Sequence, residues 1–247
     1  MKGFATILLL FIGQFSFAQS RWLIGPELGV TISKVGNNDT FVNNFTARNK
    51  FAPRVGAAIA YNLSSFASID AGIHFAMKGY KINNDTLAQN PSVSRNISTI
   101  EIPLGLSFRQ TINGESFVTE KFGMVGAYTL GSDSTTTGNV SGDNPSFRIG
   151  ERITNAFVPM FYLGVKIGGS TSSKNRYEFG ATYTQSLAQS AALDVQYGGS
   201  LAKRFPLNYR GGYLAISFTY FFNTSNIEDS FHHRRWLRSF FQVYFSK

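Results

Sequence analysis

Residues 214–222 read LAISFTYFF, and no other stretch of the chain alternates as cleanly. Leu214, Ile216, Phe218, Tyr220 and Phe222 fall on one face of an extended chain, while Tyr213, Ala215, Ser217 and Thr219 fall on the other. A side-chain period of two marks a strand whose faces meet different surroundings. Here one face is continuous and bulky, and the other is mostly small and polar.

Seven earlier segments repeat the pattern. Trp22, Ile24, Leu28, Val30 and Ile32 oppose Glu27 and its small neighbours. Phe51, Val55, Ile59 and Tyr61 oppose Arg54, and Ile69, Ala71, Ile73, Phe75 and Met77 oppose Asp70, His74 and Lys78. Ile100, Ile102, Leu104, Leu106 and Phe108 oppose Glu101 and Arg109. The fifth segment is less regular, with Val118, Phe122, Met124 and Tyr128 sharing their face with Glu120 opposite Lys121. Phe157, Phe161, Leu163, Val165 and Ile167 oppose Lys166, and Tyr177, Phe179, Ala181 and Tyr183 oppose Arg176 and Glu178. Each segment has about 10 to 13 residues, enough for a tilted strand to cross a bilayer.

The joins alternate as well. Those around residues 62–65, 111–116 and 168–175 are short, whereas 35–50, 79–96, 131–155 and 186–210 each run to roughly 16 residues or more. Short turns at one end and long loops at the other are the pattern of an up-and-down barrel inserted with both termini in the periplasm.

The contents of the two faces decide which one points outward. Phe, Ile, Leu and Tyr recur on the apolar face of every segment, more bulk than an eight-stranded lumen holds. The opposite face carries acids and bases that can pair: Glu27, Arg54, Asp70, His74, Lys78, Glu101, Arg109, Lys121, Lys166 and Glu178. Lys or Arg facing lipid at midplane would cost about 2–4 kcal/mol. The expectation is an all-β, eight-stranded antiparallel transmembrane barrel with a lumenal ion-pair network, closed by pairing the first strand with the last so that no edge meets lipid.

Composition agrees. Of 247 residues only 15% are charged while 15% are aromatic, which argues against disorder. Cysteine is absent, excluding disulfides, thiolate metal sites, thiol catalysis and a lipid-modified N-terminal Cys. Lys2 followed by the short apolar run ATILLLFI at residues 5–12, with Ser16 and Ala18 at the −3 and −1 positions, reads as an export signal ending at residue 18. The expected organisation is a signal peptide at 1–18, a barrel at 19–223 and a periplasmic tail at 224–247.

Residues 100–107, IEIPLGLS, resemble the "leIPL" strand of the PorT-like outer-membrane β-barrel family of Bacteroidota. The AQ pair at Ala18 and Gln19, GPELGV at 25–30, LGVKIG at 163–168, YTQSL at 183–187 and LAISFTYFF at 214–222 are similar in order and spacing. The resemblance extends to about residue 223. It implies an eight-stranded outer-membrane barrel, with one founding member tied to the type IX secretion machinery, and brings no catalytic motif. The chain departs from the family in continuing past the final aromatic strand. That tail sets Arg234, Arg235, Trp236, Leu237, Phe240, Phe241 and Tyr244 at helical spacing, as in a basic amphipathic helix lying on a membrane surface. The stretch SFFQVYFS within it also alternates as a strand would, and a disordered end is a third reading.

No catalytic, cofactor or metal site is expected. The loop aspartates lack the spacing of a tight calcium site, and glycine-rich phosphate motifs are absent. The formal charge of +9 is dispersed and suits anionic headgroups better than nucleic acid. Expected partners are outer-membrane lipid, lipopolysaccharide and envelope or secretion-machine proteins, with neither nucleic acid nor nucleotide. The leading expectation is a non-enzymatic structural or accessory barrel. The alternatives are a surface binding module using loops 131–155 and 186–210, and a lipid A-modifying hydrolase built on His74.

Overall fold

The structure is a computed structural model describing residues 22–33, 45–84, 92–131, 134–138, 147–171, 174–197 and 203–224. The expected signal peptide and the amphipathic stretch of the tail lie outside the described residues.

The described chain is almost entirely strand: β1 (Trp22–Ser33), β2 (Phe45–Arg48), β3 (Lys50–Asn62), β4 (Ala67–Asn84), β5 (Ser92–Asn113), β6 (Ser116–Thr129), β7 (Ser134–Gly138), β8 (Phe147–Ile153), β9 (Phe157–Ser170), β10 (Arg176–Ser186), β11 (Ala191–Tyr197), β12 (Lys203–Tyr209) and β13 (Tyr213–Asn223). Eight of them form a closed antiparallel ring in the order β1-β3-β4-β5-β6-β9-β10-β13, with β13 pairing back onto β1. These are the eight segments expected from the alternation, and the fold is the expected outer-membrane β-barrel.

The register fixes the barrel's dimensions. Stepping across paired residues from Trp22 leads to Tyr61, Ile69, Leu106, Phe122, Leu163, Tyr183 and Leu214, and returns to β1 at Ile32, ten residues from the start. With about 3.3 Å per residue and about 4.8 Å between strands, that offset tilts the strands by roughly 40° and sets a backbone radius of roughly 8 Å. The even offset matters, because an odd one would turn inward residues outward on closure. Every residue on this path is apolar or aromatic and faces out. The parallel path from Leu23 through Ala60, Asp70, Gly105, Gly123, Tyr162, Thr184 and Tyr213 to Ser33 faces in.

On the outer face, among the described residues, large apolar side chains touch only their neighbours on the same face, as Trp22 does Tyr61 and Phe108 does Phe122. Phe51, Leu104 and Ile167 are each at least 60% exposed, and large apolar side chains line all eight strands. Such a belt is what acyl chains cover. At one end the connections are tight, and β5 meets β6 through the two-residue turn Gly114–Glu115, with Gly114 at φ +48° in the region a primed hairpin turn requires. The chain enters β1 and leaves β13 at this same turn end.

The opposite end departs from the expected plain loops. β4 and β5 run on past the ring, pairing as far as Asn83 with Ser92, and β2 adds to the outer part of β4. Segments 131–155 and 186–210 contribute β7, β8, β11 and β12, which form a separate four-stranded sheet in the order β12-β11-β8-β7. A small core of Tyr80, Ile82, Val93, Ile97, Ile149, Ala191, Leu193 and Tyr209 binds this sheet to the β4–β5 extension as a cap. β8, β11 and β12 do alternate, as in Ala191, Leu193 and Val195 or Phe205, Leu207 and Tyr209, but at seven residues each, inside long joins, they are too short to cross a bilayer and do not stand out beside the ring strands.

Candidate functional site

The structure places all ten acids and bases singled out above on the inner face of the ring. Glu27 sits at the centre of one group, bonded to the Arg54 guanidinium, to Lys166 Nζ at 2.9 Å and to the Thr219 hydroxyl at 2.8 Å. A second group is built on Glu101, which is wholly buried, accepts from the Tyr213 hydroxyl and has Lys78 Nζ at 2.9 Å and Arg54 Nε at 3.7 Å. A third joins Lys121 Nζ to Asp70 and Glu178, each at 2.8 Å, with Ser68 and Ser107 donating to Asp70. Asp70, His74 and Lys78, which share one face of β4, do not partner one another, and each reaches a different strand. Glu101 and Arg109 of β5 are likewise separated, Arg109 bonding weakly to Asn62 at the turn end.

Arg176, on the inner face of β10, belongs to this network though the sequence reading does not count it there. It is 2% exposed, its Nε lies 3.1 Å from Glu178 and its guanidinium stacks 4.5 Å from the Phe221 ring. The alternation already puts Arg176 on the polar face of its segment, and its place at the first residue of the strand, beside a join, sets it apart from the pairing charges. With Arg176 included, six lumenal cations among the described residues (Arg54, Lys78, Arg109, Lys121, Lys166, Arg176) face four acids (Glu27, Asp70, Glu101, Glu178).

Apolar layers bound the network on both sides. Toward the turns, Leu23, Phe117 and Phe221 are buried, with Arg109 over the Phe117 ring at 5.0 Å. Toward the cap, Val125, Ala127, Val158, Met160, Tyr162, Tyr213 and Ala215 pack together. Between them lies one cavity of about 50 Å³, lined in part by Arg54, Asp70, His74, Lys121 and Tyr162. The barrel is a filled cylinder.

His74 is 3% exposed. Arg54, which can only donate, bonds to its Nδ1 at 3.0 Å, so the neutral ring carries its proton on Nε2. Nε2 has no hydrogen-bond partner, and the Glu27 carboxylate stands 3.6 Å away. Among the described residues no hydroxyl bonds to this ring, so the nucleophile and base pairing of a hydrolase is not assembled here.

In the cap, Glu151 accepts from the Tyr80 hydroxyl at 2.9 Å and from Arg95 Nε at 3.1 Å. Burial, and then the neighbouring Glu151 carboxylate, holds the Tyr80 phenol well above its usual range. Ser33 ties the cap to the ring, exchanging two 2.9 Å bonds with the backbone of Gly79.

Solved structures similar to this chain are outer-membrane proteins. OprG from Pseudomonas aeruginosa shares 10% identity over 83% of this chain and 96% of its own, at a TM-score of 0.47. AlkL, solved in lipid bilayers, shares 14% over 84% and 92%, at 0.40. The outer membrane protease OmpT from Escherichia coli shares 10% over 82% and 93%, at 0.29. No curated protein sequence matches the chain. The family model described as outer membrane protein beta-barrel domain matches residues 17–192, well over half of the sequence. With its lipid-facing belt, paired lumenal charges and closed ring, the chain belongs to the outer membrane protein β-barrel domain family.

Proposed function

We propose that this protein is a non-enzymatic barrel with a structural or accessory role in the cell envelope, and that it conducts nothing along its axis. The observation that carries this reading is the filled lumen: among the described residues, a paired charge network between two apolar layers, around a cavity of about 50 Å³. On this reading the turn end and both termini face the periplasm and the cap faces outward. Lipid and lipopolysaccharide surround the belt, and envelope proteins, including a secretion machine as the PorT-like resemblance implies, dock at either end. Reconstitution in planar bilayers tests the first point. No sustained open level is expected, and a stable ohmic conductance from the intact protein would overturn it. Affinity purification from detergent-solubilised outer membrane, with and without residues 224–247, tests the secretion role. Secretion components recovered with the full chain support it, and their absence from both preparations removes it.

A second reading has its own support. The long loops fold into a sheet with a dedicated core, which a passive barrel does not require, and a folded cap is a suitable platform for binding a surface ligand or host protein. Loop deletion that abolishes surface binding while envelope assembly stays normal would favour this reading.

A further inference from the structure

The outer face of the wall changes character where β4 and β5 run on past the ring. Up to Met77 that face of β4 is apolar, with Ile69, Ile73 and Phe75, and β5 matches it with Ile100, Ile102 and Leu104. The two strands keep one register from Ala67 with Phe108 to Asn83 with Ser92, so the same face continues beyond the belt as Lys81 on β4 and as Ser92, Ser94 and Asn96 on β5. From Ile69 to Met77 the belt covers about 26 Å of strand, roughly 20 Å along the axis at the barrel's tilt, and Lys81 stands roughly 10 Å further out. The apolar band of a membrane barrel is about 25 Å tall, which puts Lys81 at the height of the headgroups.

Three cations meet there. Arg48 of β2 pairs directly with Lys81, and Lys81 with Ser94, so all three side chains share this face. Lys50 reaches the same spot, its ammonium donating to the Ser94 hydroxyl at 2.5 Å. Arg48 and Ser94 are exposed, and Lys50 and Lys81 are half-buried. Among the described residues no acid pairs with any of the three, whereas Arg54, Lys78, Lys121, Lys166 and Arg176 in the lumen each have one. Like charges directly opposite on neighbouring strands destabilise a sheet, and a bound anion reverses the sign.

The kind of anion follows from the charge and from what lies beneath it. Directly opposed Cβ atoms are about 5 Å apart, so one group with several oxygens can bridge the Arg48 guanidinium and the Lys81 ammonium. A phosphate monoester carries a charge of about −1.5 to −2 at neutral pH and matches this cluster better than the single charge of a phosphodiester. Phe51, next to Lys50 in the chain, is 64% exposed on the belt, where acyl chains attached to that phosphate would lie.

We propose that Arg48, Lys50 and Lys81 form a binding site for the phosphate monoester of an outer-leaflet glycolipid whose acyl chains pack on the belt beside Phe51. The site rests on the reading that the cap end faces outward, and it narrows the general lipid contact of that reading to one molecule at one place on the ring.

The test is native mass spectrometry of the full chain in detergent micelles, titrated with lipid A that carries its phosphate monoesters. Dephosphorylated lipid A and phosphatidylglycerol serve as comparison probes, and each should bind at least about tenfold more weakly. Arg48→Gln with Lys81→Gln should weaken lipid A binding about tenfold, the effect of two exposed ion contacts. Arg152→Gln with Lys174→Gln removes the same charge from exposed positions elsewhere and should leave binding unchanged. The shift in gel mobility on heating verifies folding, and without glycolipid the Arg48 and Lys81 double variant should be no less stable than the parent, because it relieves a like-charged pair. Equal binding of dephosphorylated lipid A, or equal losses in the two double variants, would overturn the site. Displacement of lipid A by inorganic phosphate at the same concentration would overturn a lipid as its occupant. Orientation is read separately from Arg152→Cys in intact cells with a membrane-impermeant maleimide, the chain having no other cysteine. Labelling is expected, and labelling only after lysis would overturn the outward cap and the outer-leaflet source, a failure distinct from loss of phosphate-dependent binding in micelles.

Discussion

Replacing Glu101 with Gln removes one charge from the interior while barely changing shape, and its cost follows from what remains. Lys78 is 2% exposed, and among the described residues its ammonium has only the Met160 sulfur at 3.8 Å and the Tyr213 ring at 5.0 Å besides the carboxylate. Neither neutralises a charge. Arg54 loses its second acid as well, and the lumenal excess grows by one unit. Removing one partner of a buried ion pair costs about 3–5 kcal/mol, a large part of the roughly 5–15 kcal/mol that stabilises a typical domain. The measurement is equilibrium unfolding in guanidinium of protein reconstituted in vesicles, followed by tryptophan fluorescence, with the denaturant slope unchanged. Adding Lys78→Met removes the stranded charge, so the double variant should recover most of the loss rather than add to it. A single-variant loss below about 1 kcal/mol, as at an exposed pair, would refute the reasoning, as would strict additivity in the double variant.

Gly25→Ala should block ring closure, since its Cβ would meet the Tyr220 carbonyl, and the folded fraction on unheated gels should drop. Gly114→Ala, with nothing within 4 Å, should cost only about 1–2 kcal/mol from its positive φ. Leu163→Arg, on the middle of the outer belt, should destabilise the reconstituted barrel by about 2–4 kcal/mol, whereas a soluble barrel would tolerate it. Leu193→Ala empties part of the cap core and should cost about 2–5 kcal/mol there. Amide exchange should then quicken in β8 and β11 while β9 and β10 stay protected.

The ring was legible because its outer belt must satisfy hydrocarbon at every second residue, a demand written into single segments such as 214–222. Lumenal polarity was legible for the same reason, as the complement of that belt. Partnerships inside the lumen were not, because Lys121 meets Asp70 through register and tilt that no single strand encodes. Inner aromatics were masked where both faces carry rings, as at Phe221 beside Phe222, and Phe117 was masked by its closeness to a turn. The cap was hidden because its core draws one or two residues from each of several segments far apart in sequence.

The pairing of β1 with β13 joins Leu23 to Asn223, so the contact that completes the cylinder is also among the most distant in sequence. Synthesis from the N-terminus delivers β13 last, and until it arrives two long strand borders stay open beside a greasy exterior. High contact order slows folding, and unmatched borders recruit other chains. An emerging polypeptide of this design therefore depends on escorts that keep it apart from its copies until the final strand can dock against the first.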